Sequence, residues 1–316
     1  MQRKGWLVPI LVFLVSIICL LFYQRSNVQD SFATTTNLPP ILWSKSPADF
    51  TKLTYSEFGL NFEATKTEDT WKLTAPVNTP ADALYIYNIL SYFSTPAFIE
   101  AIDIFGNNLL DYGIDESSPT LTLYEGEKTY SLVRGYAIDA NHYYVYSPAS
   151  NAIYSMEKSG FDSIQTDLNV WRDKQLLSFK KDEIKDIVLN LEGELFTIIP
   201  DVQGSVLKFT SPDVSSNVAT TLVDFLQSAQ ISNFITDNMT PTLGEIYGIT
   251  QSTHSITIHL KDGKSFLLTL GNVNEVENLC YVQVNNTPSI VSIPYLNLSG
   301  FIKETPAEST EEPAIK

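Results

Sequence analysis

Side chains able to do chemistry are present in this chain, but their spacing argues against most of that chemistry. Gly263-Lys264-Ser265 has the ending of a phosphate-binding loop. Such a loop needs a glycine five residues before Gly263, so that successive N–H groups curl around phosphate, and Ile258 stands there. Asp262-Gly263 reads instead as the tight turn of a hairpin. Of the histidines His142, His254 and His259, the last two are five residues apart, one before and one within a predicted strand. An odd separation points them to opposite faces, so they are not expected to share a metal. The sequence contains no C-x-x-C, H-E-x-x-H or G-x-S-x-G. Asp and Glu together number 36, and no hydrolytic pair can be picked from them by spacing alone. No catalytic, cofactor-binding or metal-ligating residue is therefore assigned, no cofactor is expected, and the chain is read as a non-enzyme.

Two further groups invite a choice. Cys19 lies inside an apolar segment and Cys280 near the other end, so no disulfide framework is expected. Cys280, between Leu279 and Tyr281, reads as a small buried hydrophobe. His142-Tyr143-Tyr144-Val145-Tyr146 faces Tyr154 across a predicted hairpin. One reading is an aromatic platform for glycan or peptide. The other is cross-strand pairing that stabilises a sheet, at about 0.2–1 kcal/mol per pair.

The elements that must position these groups are written twice. Lys72-Leu73-Thr74-Ala75-Pro76 returns as Lys208-Phe209-Thr210-Ser211-Pro212, and Tyr112-Gly113-Ile114 as Tyr247-Gly248-Ile249. Tyr144-Val145 returns as Tyr281-Val282, and Ile153-Tyr154-Ser155-Met156 as Ile290-Val291-Ser292-Ile293. The offset stays near about 136 residues, the length of a domain and not of a solenoid repeat. In the first copy, strands are predicted over 50–55, 60–64 and 71–73. A helix follows, with Thr79 as its N-cap, Pro80 in its first turn and Ile86, Ile89, Leu90 and Phe93 on its apolar face. Hairpins are predicted over 120–133 and 143–156. The second copy repeats the order, with strands over 184–191, 195–199 and 208–210 and a helix whose apolar face carries Val218, Leu222, Phe225 and Ala229. Strands over 256–260, 265–270, 281–284 and 289–293 close it.

Ahead of the copies, residues 6–23 are uncharged and apolar. As a helix they span about 27 Å, near the hydrocarbon thickness of a bilayer. Arg3 and Lys4 precede them, which places the N-terminus in the cytoplasm by the positive-inside rule. A cleavable signal would have a shorter apolar run and small residues after it, whereas Leu21-Phe22-Tyr23-Gln24-Arg25 follows here. No acid lies before Asp30, so the remainder carries 36 acids against 18 bases, a surface that repels nucleic acid.

The fold class expected is α+β: two tandem duplicated domains of mainly antiparallel sheet with one main helix each, after a single N-terminal transmembrane helix. The boundaries expected are an anchor over 1–24, a stalk over 25–45 and repeat one over 46–170. A connector over 171–182, repeat two over 183–302 and an acidic tail over 303–316 complete the chain.

Trp71-Lys72-Leu73 ahead of Pro76, then Tyr112-Gly113-Ile114, then Tyr144-Val145-Tyr146, then Trp171-Arg172-Asp173-Lys174-Gln175-Leu176-Leu177 together resemble the domain-of-unknown-function family 4340. The resemblance implies a bacterial envelope protein, of a kind sometimes encoded beside ABC transporters of the gliding-motility type. It supplies no catalytic residue. The second copy departs from the pattern: Leu207 replaces Trp71, and nothing after Ile293 matches Arg172-Asp173-Lys174. A structural ion pair where the copies join is therefore expected of Arg172 or Asp173, not chemistry.

The function expected is that of a single-pass membrane protein, anchored by its N-terminal helix. Its repeat domains lie outside the membrane and serve as a non-catalytic accessory to membrane transporter subunits of an ABC-type system. The alternative is an independent cell-envelope module binding glycan or peptide, and nucleic acid is not expected as a partner.

Overall fold

The computed structural model describes residues 42–203, 206–212, 215–295 and 298. Its strands in chain order begin with β1 (Lys52–Glu57), β2 (Leu60–Thr67), β3 (Thr70–Ala75) and β4 (Thr79–Pro80). After helix α1 (Ala83–Phe93) come β5 (Phe98–Asp103), β6 (Thr120–Glu125), β7 (Lys128–Ala137), β8 (His142–Ser147) and β9 (Ala152–Glu157). Short helices α2 (Lys158–Asp162) and α3 (Leu168–Trp171) lead to β10 (Ile184–Leu191), β11 (Glu194–Gln203) and β12 (Val206–Thr210). Helix α4 (Ser216–Ser228), β13 (Asn233–Thr236) and helix α5 (Pro241–Ile246) follow. The last strands are β14 (His254–Leu260), β15 (Ser265–Asn274), β16 (Leu279–Val284) and β17 (Ile290–Pro294).

The chain divides into two compact units. Unit one holds the described residues as far as Glu68, with Thr74–Pro76 and Tyr87–Thr166. Unit two holds Asp69–Leu73, Val77–Ile86 and the described residues from Asp167 onward.

Within unit one, seven strands run in the order β2-β1-β6-β7-β8-β9-β5, and the pairings among them are antiparallel. Alternation drives this arrangement. In β1 the inward residues Leu53, Tyr55 and Glu57 are buried and those between them are not. Burying Glu57 requires compensation. Arg134 Nη2 lies 2.5 Å from Glu57 Oε1, and the Tyr55 hydroxyl donates to Oε2 at 2.5 Å. Ile89, Leu90 and Phe93 of α1 are buried, and Phe93 meets Phe161 edge-on at 5.3 Å.

Unit two has the order β12-β11-β10-β14-β15-β16-β17-β13. Strand for strand, β11-β10-β14-β15-β16-β17-β13 repeats the seven of unit one. Its core gathers Ile187, Leu189, Ile256, Ile258, Val282 and Ile293 from the sheet, with Leu222 and Leu226 from α4. Leu176, Leu177 and Phe179 belong to the same core.

The recurrent Tyr-Gly-Ile has a structural cause in both units. Gly113 and Gly248 each adopt φ +71°, where a side chain is strained. Beside each lies a glycine in a neighbouring strand. A Cβ on Gly135 would meet the Tyr112 carbonyl oxygen at 2.3 Å, and one on Gly271 the Tyr247 carbonyl oxygen at 2.1 Å. The tyrosine rings then rest on tyrosines of the second hairpin, Tyr112 on Tyr144 at 5.0 Å and Tyr247 on Tyr281 at 4.6 Å. Ile114 and Ile249 are buried.

Three expectations need correction. The α+β class is replaced by a mostly antiparallel β structure of two sheets with few helices, 20% helical. The reason is that hairpins account for most of both copies, and among the described residues only α1 and α4 exceed two turns. The expected N-terminal transmembrane helix is not found among the described residues. Among the described residues no helix is long and apolar enough to cross a membrane. The expected anchor over 1–24, most of the stalk and the acidic tail over 303–316 lie outside the described residues.

The second correction concerns the start of α1. Thr79 and Pro80 are not its cap and first turn but form β4, paired with Leu73 and Lys72. Ala81 donates to the Trp71 carbonyl, so the backbone is committed to a ladder there. Asp82 is the cap instead, its Oδ1 accepting from the N–H groups of Leu84 and Tyr85 at 2.9 Å each. The third concerns α4, where Val218 points outward; Leu222, Phe225 and, just after the helix, Ala229 are buried as expected, and Ala219, Val223 and Leu226 join them.

Candidate functional site

The residues singled out by sequence do not converge. His142 pairs with Asp139 at 2.8 Å, His259 with Asp186 at 2.5 Å, and His254 sits beside the Thr253 hydroxyl. Among the described residues no group of three His, Cys, Asp or Glu side chains is placed to hold a metal. Gly263 is the hairpin turn between β14 and β15, with Leu260 N–H donating to Lys264. Cys280 is buried in the unit-two core, and burial pushes its thiol up to about 12, which keeps it protonated.

The tyrosine hairpin is occupied by its own neighbours. Tyr144 packs on Tyr112, the Tyr146 hydroxyl donates to Asn151, and the Tyr143 hydroxyl donates to Asp162. Burial first, and then the Asp162 hydrogen bond, raise the Tyr143 phenol above its ordinary range, so it keeps its proton. Sheet packing accounts for these rings.

Two concavities among the described residues lie inside unit two. The larger, about 460 Å³, opens among Lys185, Asp186, His259, Lys261 and Lys264. Its charges are answered locally. Asp186 holds His259, Lys264 lies 3.2 Å from Asp262, and Lys261 Nζ donates to the Asp182 carbonyl at 2.6 Å. Exposed pairs of this kind contribute little and leave nothing directed at a ligand.

The smaller cavity, about 230 Å³, is built differently. It centres on Arg172, which is 5% exposed. The backbone there is held by two strand-like contacts: Arg172 bridges to Ala81, and Asp173 N–H donates to the Pro80 carbonyl at 3.1 Å. Downstream, Leu176 N–H donates to the Ala229 carbonyl and Ile231 N–H to the Lys174 carbonyl. These ladders aim the guanidinium at the end of the sheet, where β13 supplies its partners. Nη1 and Nη2 contact the two carboxylate oxygens of Asp237 at 3.1 and 2.6 Å. The guanidinium carbon lies 3.6 Å from the centroid of the Phe234 ring. Leu176, Ile231, Val284 and Val291 line it alongside the polar Thr79, Asp173, Gln175, Thr287 and Ser289.

Arg172 Nε is buried and has no hydrogen-bond partner among the described residues. Asp173, by contrast, is exposed. Its Oδ1 accepts from Gln175 N–H at 2.9 Å, and among the described residues no ion pair engages it. The expected structural ion pair therefore exists at Arg172, but its partner is Asp237, and Asp173 faces solvent. Asp237, Phe234 and Ser289 were not singled out by sequence. No local signal marks them, because their meaning comes from a residue more than sixty positions away.

The comparisons with known proteins agree with the resemblance. A family model described as Domain of unknown function (DUF4340) matches residues 71–244, more than half of the chain, a span that takes in Tyr112-Gly113-Ile114 and Arg172-Asp173-Lys174. No curated protein and no solved structure was found to match.

Proposed function

The chain belongs to the family described as Domain of unknown function (DUF4340), and from that premise we propose that it is a membrane-tethered, extracytoplasmic accessory of an ABC-type transport system that binds and does not catalyse. The observation that carries the binding half is the Arg172 cavity. Its buried cation is already neutralised by a two-point carboxylate, and aliphatic and polar side chains share its lining. Such a lining holds a ligand in one orientation. The described site brings no nucleophile–base pair together, since Arg172 and Asp237 are tied to each other.

The tether rests on residues 6–23 and the two cations before them. The acidic remainder suits a soluble body on the far side of the bilayer. The transporter rests on the family resemblance.

Co-purification from native membranes in a mild detergent tests the transporter. ATPase and permease subunits enriched with the chain are the expected result. A protein recovered with no transport subunit overturns it, and a simultaneous peptidoglycan pull-down would then favour the independent binding module. Protease added to intact spheroplasts tests the placement. Digestion of both units is expected, and their protection overturns it.

A further inference from the structure

We propose that the outer edge of β5 in unit one, with the loop that leaves it, is the docking surface for a partner protein that presents an apolar patch bordered by Lys or Arg. The surface is separate from the Arg172 cavity. It rests on reading the chain as a binding protein and gives the chemistry of the partner.

The first observation is exposure. Ile99, Ile102, Ile104 and Phe105 are exposed, the last two to 64% and 66%. They fall within seven residues, a stretch of at most about 25 Å, so they form one patch and not scattered singles. β5 is the last strand of its sheet, and its ladder to β9 skips two residues. Phe98 faces Met156 and Glu100 faces Ser155, which leaves Ile99 without an opposite. Ala101 faces Tyr154 and Asp103 faces Ile153, which does the same to Ile102. Both bulged residues are thus exposed isoleucines. The loop beyond them is pinned. The Asp103 carboxylate accepts from the N–H groups of Phe105 and Asn107, and Asn151 Nδ2 donates to the Phe105 carbonyl at 2.8 Å.

The second observation is that the fold does not require these apolar groups. Ile153 and Ile290 are counterparts in the two copies, and they face Asp103 and Thr236. The next two residues are Ile104 and Phe105 in the first copy but Asp237 and Asn238 in the second. The same edge is completed in unit two with polar side chains.

The third observation is charge, and it selects the occupant. No Lys, Arg or His occurs between Lys72 and Lys128. Glu100 and Asp103 lie among the apolar residues and Asp111 follows them, and among the described residues no ion pair engages any of the three. Lys158, which follows the neighbouring strand, is turned onto the ring of Tyr143. An apolar patch with an acidic border attracts a basic partner and repels a second copy of itself or an anionic bilayer. The bulges set the mode of contact. An irregular edge accepts a further strand poorly, so side chains and not a shared ladder hold the partner.

Photo-crosslinking of the full chain in intact cells tests this, with p-benzoylphenylalanine in place of Phe105 and, in a matched chain, in place of Asn238. The first chain is expected to form an adduct with another protein, and mass spectrometry should place the attachment in an apolar segment with Lys or Arg beside it. The second chain should not form that adduct. Ile104→Ser should lower the yield about fivefold, and Glu100→Lys combined with Asp111→Lys about tenfold. All three positions are exposed, so the melting temperature should be retained. An adduct only with lipid or with a second copy of the chain, an attached segment without a cation, or a yield unchanged by the charge reversal overturns the proposal. If no adduct forms while transport subunits still co-purify, this inference falls and the reading above stands. If the adduct forms as described with a protein that is no transport subunit, and none co-purifies, the transporter falls and the docking surface stands.

Discussion

Arg172 and Asp237 are sixty-five positions apart in the chain and meet through two parallel contacts, Nη1 to Oδ2 at 3.1 Å and Nη2 to Oδ1 at 2.6 Å. The burial is lopsided: the arginine side chain is 6% exposed and the aspartate 40%. The pair thus protects a buried cation with a carboxylate that itself keeps access to water. The fork geometry, and the ring of Phe234 beneath it, explain why an arginine suits this position where a lysine would not.

Removing the carboxylate should expose that dependence. Asp237→Ala leaves the guanidinium buried without its anion and is expected to destabilise unit two by about 2–3 kcal/mol, less than a fully buried pair because water reaches one partner. Hydrogen exchange read by mass spectrometry separates the units. Faster exchange across β13 and β17, with β1 and β6 unchanged, is the predicted pattern. Equal exchange in wild type and variant would show that the pair contributes nothing.

The paired Tyr-Gly-Ile turns make a graded prediction. Alanine at Gly113 or Gly248 must adopt φ near +71°. At Gly113 the added Cβ meets the ring of Tyr136, an exposed side chain able to swing away, so about 1–2 kcal/mol is expected. At Gly248 it meets the Asn272 side chain at 2.2 Å and the Asn272 backbone nitrogen at 2.8 Å, which cannot move so freely, and about 2–4 kcal/mol is expected. Denaturant melts of the two variants in parallel check the order, and a larger loss at Gly113 would contradict it.

Acid should loosen unit one through Glu63. Hydrogen bonds from Lys52 and then Thr74 hold its carboxyl below its ordinary value of 4.5. A carboxyl depressed in the folded state stabilises above its unfolded pKa, and that contribution is lost as pH falls through the folded value. Stability should therefore begin to drop as pH falls below about 4.5 and continue to drop below it. Glu63→Gln should flatten this part of the pH profile of unit-one melting while leaving neutral pH as the condition where the variant is the less stable. An identical acid profile in the variant would remove Glu63 from the account.

Cys280 should resist alkylation. With its thiol pushed up to about 12 and its side chain in the core, iodoacetamide at mildly alkaline pH is expected to label it only after denaturant is added. Site-resolved mass spectrometry distinguishes it from Cys19. Rapid labelling of Cys280 in the native protein would show that the core opens there.

What could be read without coordinates was whatever depends on near neighbours. Period-two alternation marked β10 at its observed bounds, and Glu125-Gly126 and Asp262-Gly263 marked turns, because a strand face or a tight turn is set by a few adjacent residues. The common offset of Tyr112-Gly113-Ile114 and Tyr247-Gly248-Ile249 announced two copies, and β11-β10-β14-β15-β16-β17-β13 repeats β2-β1-β6-β7-β8-β9-β5 in order. The edge strands β5 and β13 escaped that reading, since β5 is exposed on most of its length and β13 is four residues with none buried, so neither shows an alternation to recognise. The start of α1 escaped it as well. Thr79-Pro80 has the chemistry of a helix entry, and only the ladder to Lys72 and Leu73 diverts it into a strand. The Arg172 cavity lay furthest out of reach. An arginine announces a charge but not its partner, and it was the closure of unit two that brought Asp237, Phe234 and Ser289 to it. Pairing across a fold depends on which distant segments become neighbours, and no local pattern of residues encodes that.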